Sequence, residues 1–182
     1  MTDFDPATAL AAAADGDQRA WNAIVMTYSG LVWSVARSFR LSTADAGDVV
    51  QGTWLRLVEH LHDIRDPDRL AGWLATTARR ESLNLIRRAG RDVPVDDVDG
   101  LGGPAAVAAA AVDERLLRDE SQRALWQAVS RLSHGCQRLL RVMFADPAPS
   151  YETVGAALDI PIGSIGPTRA RCLAGLRSIL TG

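Results

Sequence analysis

Two clusters of arginine are the main chemical feature of this 182-residue sequence. Between Arg79 and Arg91, five arginines are accompanied by a single glutamate, and a second cluster includes Arg169 and Arg171, with no acidic residue from there to the C-terminus. Arginine can donate two parallel hydrogen bonds to phosphate or to guanine, so both clusters suit nucleic acid. Each can also be a solvated helix surface, and arginines near the end of a helix complement its dipole.

Residues that could support catalysis or hold a metal ion do not form a recognisable pattern. There is no nucleophile paired with a base and no Gly-rich phosphate loop, and His60 and His62 lie two residues apart, on different sides of a helix. Cys136 and Cys172 are distant in sequence and lie in apolar helical patterns, which predicts two buried thiols and not a disulfide. We therefore expect no enzymatic activity, no metal site and no cofactor.

The second arginine cluster lies in a stretch, residues 150–180, that predicts two helices joined by a sharp turn. Ser150 can cap the first helix, and Pro161 and Gly163 interrupt the helical pattern. Ser164 can cap the second helix, with Pro167 in its first turn. A helix, a tight turn and a basic helix are typical of a helix-turn-helix, although an ordinary helical hairpin has the same pattern.

Apolar residues at three- and four-residue steps predict helices through most of the remaining chain, and no segment alternates like a strand. The fold class is therefore all-α. Residues 92–112 are acidic and rich in Gly and Ala, which predicts a flexible linker. It would join an N-terminal helical domain, residues 1–91, to a C-terminal helix-turn-helix domain, residues 113–182. Within the N-terminal domain, a break is expected near Ser29 and Gly30.

Overall composition limits the possible partners and locations. The net charge of −2 and the pI near 5.9 argue against a protein that coats nucleic acid indiscriminately, but they allow local basic patches. The N-terminus has no basic start followed by an apolar core, and no segment is apolar enough to cross a bilayer. We therefore expect a cytoplasmic protein without membrane insertion.

Three stretches together resemble the sigma factors of bacterial RNA polymerase, in the short two-domain extracytoplasmic-function (ECF) type. Residues 45–58, DAGDVVQGTWLRLV, are similar to the family's polymerase-binding helix. Residues 72–88, GWLATTARRESLNLIRR, are similar to its promoter-melting helix, and YETVGAALDIPIGSI is similar to its helix-turn-helix. The resemblance covers residues 15–90 and 113–181.

The resemblance implies that the chain binds core RNA polymerase and directs promoter recognition, DNA melting and transcription initiation. The polymerase partners would be the clamp helices of the largest subunit and the flap of the second-largest, and an anti-sigma factor is a further possible partner. The polymerase-binding residues would be Asp45, Asp48, Gln51 and Trp54. Contacts to the −10 element and its unpaired strand would come from Trp73, Arg80, Asn84, Arg87 and Arg88, and contacts to the −35 element from Ser164, Thr168, Arg169 and Arg171.

Some positions depart from the family pattern. Gly52 stands where the family usually has Glu, and Gly166-Pro167-Thr168 replaces the commoner Lys-Ser-Arg at the start of the recognition helix. Which residues of that helix contact bases, and which promoter is read, therefore stay open. A stand-alone helix-turn-helix regulator and a protein-interaction adaptor that does not bind DNA are the alternative functions.

Overall fold

The computed structural model describes residues 4–90 and 120–181. These parts contain eight α-helices and two short 3-10 helices and no strand, which confirms the all-α fold class. The predicted linker, residues 92–112, lies outside the described residues, as does the start of the predicted C-terminal domain. The helices are α1 (Pro6–Ala14), α2 (Gln18–Ser38), α3 (Thr43–Glu59), α4 (Leu70–Arg88), α5 (Glu120–Ser130), α6 (His134–Met143), α7 (Tyr151–Leu158) and α8 (Ile162–Thr181).

Side-chain caps determine where several helices begin. The carboxylate of Asp5 accepts the backbone N–H of Thr8 at 3.0 Å, and the Ser42 hydroxyl accepts the N–H of Asp45 at 3.0 Å. Ser150 caps α7 in the same way through Thr153, at 3.2 Å. Each bond satisfies a backbone donor that the first turn of a helix leaves without an intrahelical acceptor. The cap expected from the sequence at Ser150 is confirmed.

Helices α1 to α4 form the N-terminal module, in which α2, α3 and α4 pack against one another and α1 lies on α2. The expected break in α2 is wrong, because the helix continues through Ser29 and Gly30. Gly30 instead allows a close approach: a Cβ at this position would lie 2.3 Å from the backbone oxygen of Asp146. The largest fully buried side chains of this module are Ile24, Leu31, Val32, Val35, Leu41, Val49, Leu57, Leu70 and Leu74.

Helices α5 to α8 form the C-terminal module, and α7 and α8 are its two-helix unit. Asp159 follows α7 in the left-handed conformation, with φ 60°, and α8 begins at Ile162, before the expected cap Ser164. Pro167 therefore lies in the second turn of α8, not the first. Gly155 permits the tight turn after α7, since a Cβ there would lie 3.1 Å from the backbone oxygen of Ile160.

The expectation of two separate thiols is wrong, because Cys136 and Cys172 form a disulfide. The bond joins α6 to α8, with the two Cα atoms 5.4 Å apart. Because the two cysteines are 36 residues apart in the sequence, their pairing could not be predicted from local patterns. Two cysteines on the apolar faces of different helices can meet only when the helices pack, and sequence periodicity does not give that geometry.

The two modules pack against each other in the described structure. Helix α4 contacts α7, and α2 contacts α6. Arg79 forms an ion pair with Asp159, and the guanidinium carbon of Arg138 lies 4.5 Å from the centroid of the Phe39 ring. Burial, followed by the nearby charge of Arg79, lowers the pKa of Arg138 to about 10. One arginine of the first cluster, Arg79, thus contributes to the contact between modules.

Candidate protein and nucleic-acid interfaces

The first candidate surface is a stripe along α3. Asp48, Gln51, Leu55 and Val58 follow one another at steps of three or four residues, so they share one face of the helix. All four are exposed, and the two apolar members keep 57% and 52% of their surface accessible. We call these four residues the α3 stripe. Carboxylate, amide and two exposed aliphatic groups together are suited to binding another protein.

The other two residues assigned to this surface lie differently. The backbone N–H of Asp45 takes part in the Ser42 cap, and its side chain is half-buried. Trp54 is also half-buried and packs edge-on against Trp21, with ring centroids 6.2 Å apart. Leu55 and Val58 were not identified from the sequence, although their spacing from Asp48 was visible there.

The second candidate surface is a cleft of about 610 Å³ between α3, α4 and the segment that connects them. It brings together Trp73, Arg80 and Asn84, three of the residues assigned to the −10 element. Arg65 and Arg69, which were not assigned, also line it. The cleft therefore combines an aromatic face, several guanidinium groups and an amide, the groups that hold an unstacked base and its phosphate. We call it the α3–α4 cleft.

Polar contacts fix several side chains around the α3–α4 cleft. His60 Nδ1 lies 3.0 Å from a carboxylate oxygen of Asp63, and the His60 ring meets Trp73 edge-on at 6.3 Å. Arg69 forms an ion pair with Asp66 at 3.1 Å. Arg80 is exposed and has no ion pair among the described residues.

Arg87 and Arg88, also assigned to the −10 element, lie in the last turn of α4 and are exposed. They are one turn beyond Asn84, whose amide oxygen accepts a hydrogen bond from Arg87 at 3.4 Å. These arginines add positive charge beyond the cleft, toward the end of the helix. A nucleic-acid strand leaving the cleft along α4 would meet them with its phosphates.

The third candidate surface is the exposed side of α8. Gly163, Pro167 and Ala170 are exposed near its start, and Arg171 and Arg177 follow. Small and apolar residues thus occupy the outward positions of the first turns, with positive charge further along. Such a face can approach a DNA groove closely and contact thymine methyl groups, while the arginines reach phosphates or guanine.

The four residues assigned to the −35 element are not equally available. Thr168 is only 6% exposed, and its hydroxyl accepts a hydrogen bond from Arg171 at 3.2 Å. Arg169 is half-buried and reaches back to the hydroxyl of Tyr151 on α7 at 3.5 Å. The Ser164 hydroxyl donates to the backbone oxygen of Pro161 at 2.7 Å. Arg171 is therefore the most exposed of the four.

An apolar cleft of about 520 Å³ lies between α2 and the C-terminal module, and was not anticipated from the sequence. Trp33, Trp126 and Phe144 line it, and Phe144 keeps 64% of its surface exposed. Arg141 also lines the cleft, with its guanidinium carbon 5.6 Å from the Trp126 ring centroid. Burial, followed by the charge of Arg37, lowers the pKa of Arg141.

Two further features bear on function. Across residues 4–90 and 120–181, no group of three or more His, Cys, Asp or Glu side chains is arranged to hold a metal ion. Nor does any helix in those ranges have the length and apolar character needed to cross a membrane.

Comparison with known proteins relates these surfaces to characterised sequences. A family model described as Sigma-70 region 2 matches residues 24–92, which contain the α3 stripe and the α3–α4 cleft. The ECF RNA polymerase sigma-E factor of Escherichia coli strain K12 is 25% identical over 156 residues, covering 82% of this chain and 81% of that protein. The RNA polymerase sigma-H factor of Pseudomonas aeruginosa is 24% identical, covering 82% of this chain and 80% of that protein.

Two solved structures share the fold. CnrH, in complex with the cytosolic domain of CnrY, superposes with a TM-score of 0.61 at 22% identity, covering 97% of both chains. The sigma factor RpoE of Bartonella quintana, in complex with the anti-sigma factor NepR, gives a TM-score of 0.55 at 23% identity, covering 86% of this chain and 94% of that one. The likeness extends over both helical modules.

Proposed function

We propose that this chain is an ECF sigma factor of the sigma-70 family, with a specific role for each of its surfaces. It binds core RNA polymerase and directs the polymerase to promoters, where it begins transcription. The observation that carries this proposal is the position of the α3 stripe beside the α3–α4 cleft, both inside the part matched by the region 2 family model. One module thereby offers a protein-binding face and a strand-binding cleft side by side.

The α3 stripe is the proposed contact to the clamp helices of the largest polymerase subunit. Asp48 and Gln51 supply polar groups, and Leu55 and Val58 add apolar area that is otherwise exposed to water. Asp45 flanks this surface. Trp54 contributes through its packing on Trp21, which fixes the rotation of α3 on α2.

The α3–α4 cleft is the proposed site for the −10 element and its unpaired strand. An unstacked base can stack on the exposed part of Trp73, while Arg80 and Asn84 contact its edge or the neighbouring phosphate. Arg87 and Arg88 then hold the backbone along the end of α4. Strand separation needs binding groups of this kind and no catalytic residue.

The exposed face of α8 is the proposed contact to the −35 element. Arg171 is the principal contact, and Arg169 and Ser164 flank it. Thr168 acts from the buried side of the helix by accepting the hydrogen bond that orients Arg171. The rest of this module supplies the surface for the flap of the second-largest subunit. We also propose the domain division 1–91, 92–112 and 113–182.

Reading both promoter elements at once requires the two modules to separate. The −10 and −35 elements are centred about 25 base pairs apart, which is roughly 85 Å along the duplex at about 3.4 Å per base pair. In the described structure α4 and α7 are in contact, and Arg79 pairs with Asp159. We propose that polymerase binding replaces this contact between modules with contacts to the enzyme and the DNA.

The cytoplasm is the proposed location, because polymerase and chromosome are there. An anti-sigma factor is a proposed further partner, since both structural neighbours were solved with a bound protein and one of those proteins is named as an anti-sigma factor. Such a partner would control how much of the chain is available to polymerase.

Binding of core polymerase to variants of the α3 stripe tests the proposal. Asp48→Ala combined with Gln51→Ala should weaken affinity at least about tenfold, because the few residues that dominate an interface each cost more than about 1 kcal/mol when they are truncated. Asp15→Ala, an exposed aspartate outside α3, is the matched control and should leave affinity unchanged. Wild-type affinity in the double variant would refute the assigned surface. Absence of polymerase binding by the wild-type chain would favour a stand-alone regulator.

A further inference from the structure

The disulfide joins the only two cysteines of the 182-residue sequence. Cys136 lies in the first turn of α6, where its backbone N–H donates to the Ser133 hydroxyl, and its side chain is partly exposed. Cys172 lies on α8 and is only 1% exposed. Cys136 is thus the more exposed residue of the pair, and Cys172 is the buried one.

The bond reaches a helix that has few fully buried residues. Of the 20 residues of α8, only Ile165, Thr168 and Cys172 are buried. Two of these lie near the start of the helix, so Cys172 is the last fully buried residue of α8, and the apolar residues beyond it, Leu173, Leu176 and Ile179, are only partly buried. The C-terminal module is small, and small modules depend strongly on individual cross-links because their apolar cores are limited. Forming or breaking this bond should therefore change how firmly α8 is held against α6.

We propose that Cys136 and Cys172 are a reversible oxidation site for peroxide, which controls the ordering of α8. The inference rests on the proposed function in one respect, namely that α8 contacts promoter DNA inside a reducing cytoplasm. In that compartment disulfides are usually transient and serve catalysis or redox sensing. The two cysteines lie in the module proposed to bind DNA, and one of them is partly exposed, which is consistent with a role in sensing an oxidant.

The chemistry requires only a peroxide and the two thiols. The Cys136 thiolate attacks one peroxide oxygen, so that an S–O bond forms, the O–O bond breaks and the leaving oxygen departs as water after taking up a proton. Cys172 then attacks the sulfenic acid sulfur, so that the S–S bond forms and the hydroxyl leaves as a second water. Two thiols lose two electrons and the peroxide gains them. A dithiol reductant reverses the change by thiol–disulfide exchange.

The position of Cys136 suits the role of attacking residue. It lies near the N-terminus of a ten-residue helix, where free backbone N–H groups favour a thiolate. The burial of Cys172 protects it from direct oxidation and assigns it the resolving role. The oxidised state is the one in which α8 is fixed and Arg171 is held in place, so oxidation should strengthen binding to the −35 element.

Intact mass and hydrogen exchange on the full-length chain test the inference without DNA. Treatment of the reduced chain with hydrogen peroxide should remove two hydrogen atoms and leave no free thiol. Amides of α8 should exchange at least about tenfold faster in the reduced chain than in the oxidised chain, while amides of α2 keep the same rates. Cys136→Ser should exchange like the reduced wild type and should not respond to peroxide.

Two results would overturn the inference: two free thiols after peroxide treatment, or equal α8 exchange in the oxidised and reduced chains. Because reduced and oxidised wild type are compared directly, the test does not depend on whether a cysteine variant folds. Promoter-specific transcription with core polymerase is measured separately. Its absence in both redox states would count against the proposed function, while the thiol and exchange results would still decide on the switch.

Discussion

Replacing Gly30 with alanine should destabilise the chain, although alanine is normally the better residue inside a helix. Gly30 lies within α2, where removal of its backbone freedom would by itself add about 0.5–1 kcal/mol to the free energy of unfolding. The new Cβ, however, would lie 2.3 Å from the backbone oxygen of Asp146. A backbone atom cannot move aside alone, so the segment that follows α6 must shift.

Overpacking of this kind typically costs about 1–3 kcal/mol. After the gain in helix propensity, the expected net change for Gly30→Ala is a loss of up to about 2.5 kcal/mol. The shift also acts on the contact between modules, because α6 carries Arg138 against Phe39. The variant therefore reports on whether the two modules pack in solution as they do in this structure.

Urea unfolding at 25 °C provides the measurement, and Gly47→Ala provides the matched control. Gly47 is also inside a helix, α3, but a Cβ there would meet no atom within 4 Å. Gly47→Ala should therefore raise the free energy of unfolding by about 0.5–1 kcal/mol. If Gly30→Ala stabilises the chain as much as Gly47→Ala does, Asp146 does not pack on α2 in solution, and the proposed separation of modules on polymerase binding loses its basis.

Three other predictions concern single positions. Burial, followed by the charge of Arg40, lowers the pKa of His134 below its ordinary 6.5, so just below that pH the unfolded chain binds more protons than the folded chain. The free energy of unfolding, measured with urea, should therefore fall as the pH drops through this window. His134→Gln should reduce this dependence on pH, and an unchanged dependence would contradict the assignment. Gly52→Ala should stabilise the chain by about 0.5–1 kcal/mol in the same assay, because alanine is the better helix former and its Cβ would lie at an ordinary contact distance, 3.6 Å, from the Glu81 side chain. Destabilisation would show that α3 and α4 lie closer together than described. Arg80→Ala should slow promoter opening, measured by the fluorescence of 2-aminopurine placed in the −10 element, while binding to core polymerase stays unchanged. Opening at the normal rate would show that Arg80 has no role in the function of the α3–α4 cleft.

The sequence predicted those features that depend on neighbours along the chain. The cap at Ser150 follows from local hydrogen bonding, and it is observed. The three-residue step from Asp48 to Gln51 is that of one helix face, and these two residues, which the resemblance assigned to polymerase binding, are both exposed on α3. Helical periodicity alone carries this information, because it fixes direction around the helix axis.

Features that depend on packing between distant elements could not be predicted. The pairing of Cys136 with Cys172 requires the crossing of α6 and α8, which no local pattern specifies. Gly30 was interpreted by its local tendency to break helices, but tertiary packing against Asp146 decides its role. Thr168 shares a helix with exposed Arg171, yet which of the two faces inward depends on how α8 rests on the module.

Run-off transcription on fragmented genomic DNA tests the central claim most directly. Core RNA polymerase is incubated with and without the full-length chain, and the start sites of new transcripts are mapped. The account predicts new start sites only when the chain is present, each preceded by two shared sequence elements near −10 and −35. An unchanged set of transcripts from core polymerase that has demonstrably bound the chain would contradict it.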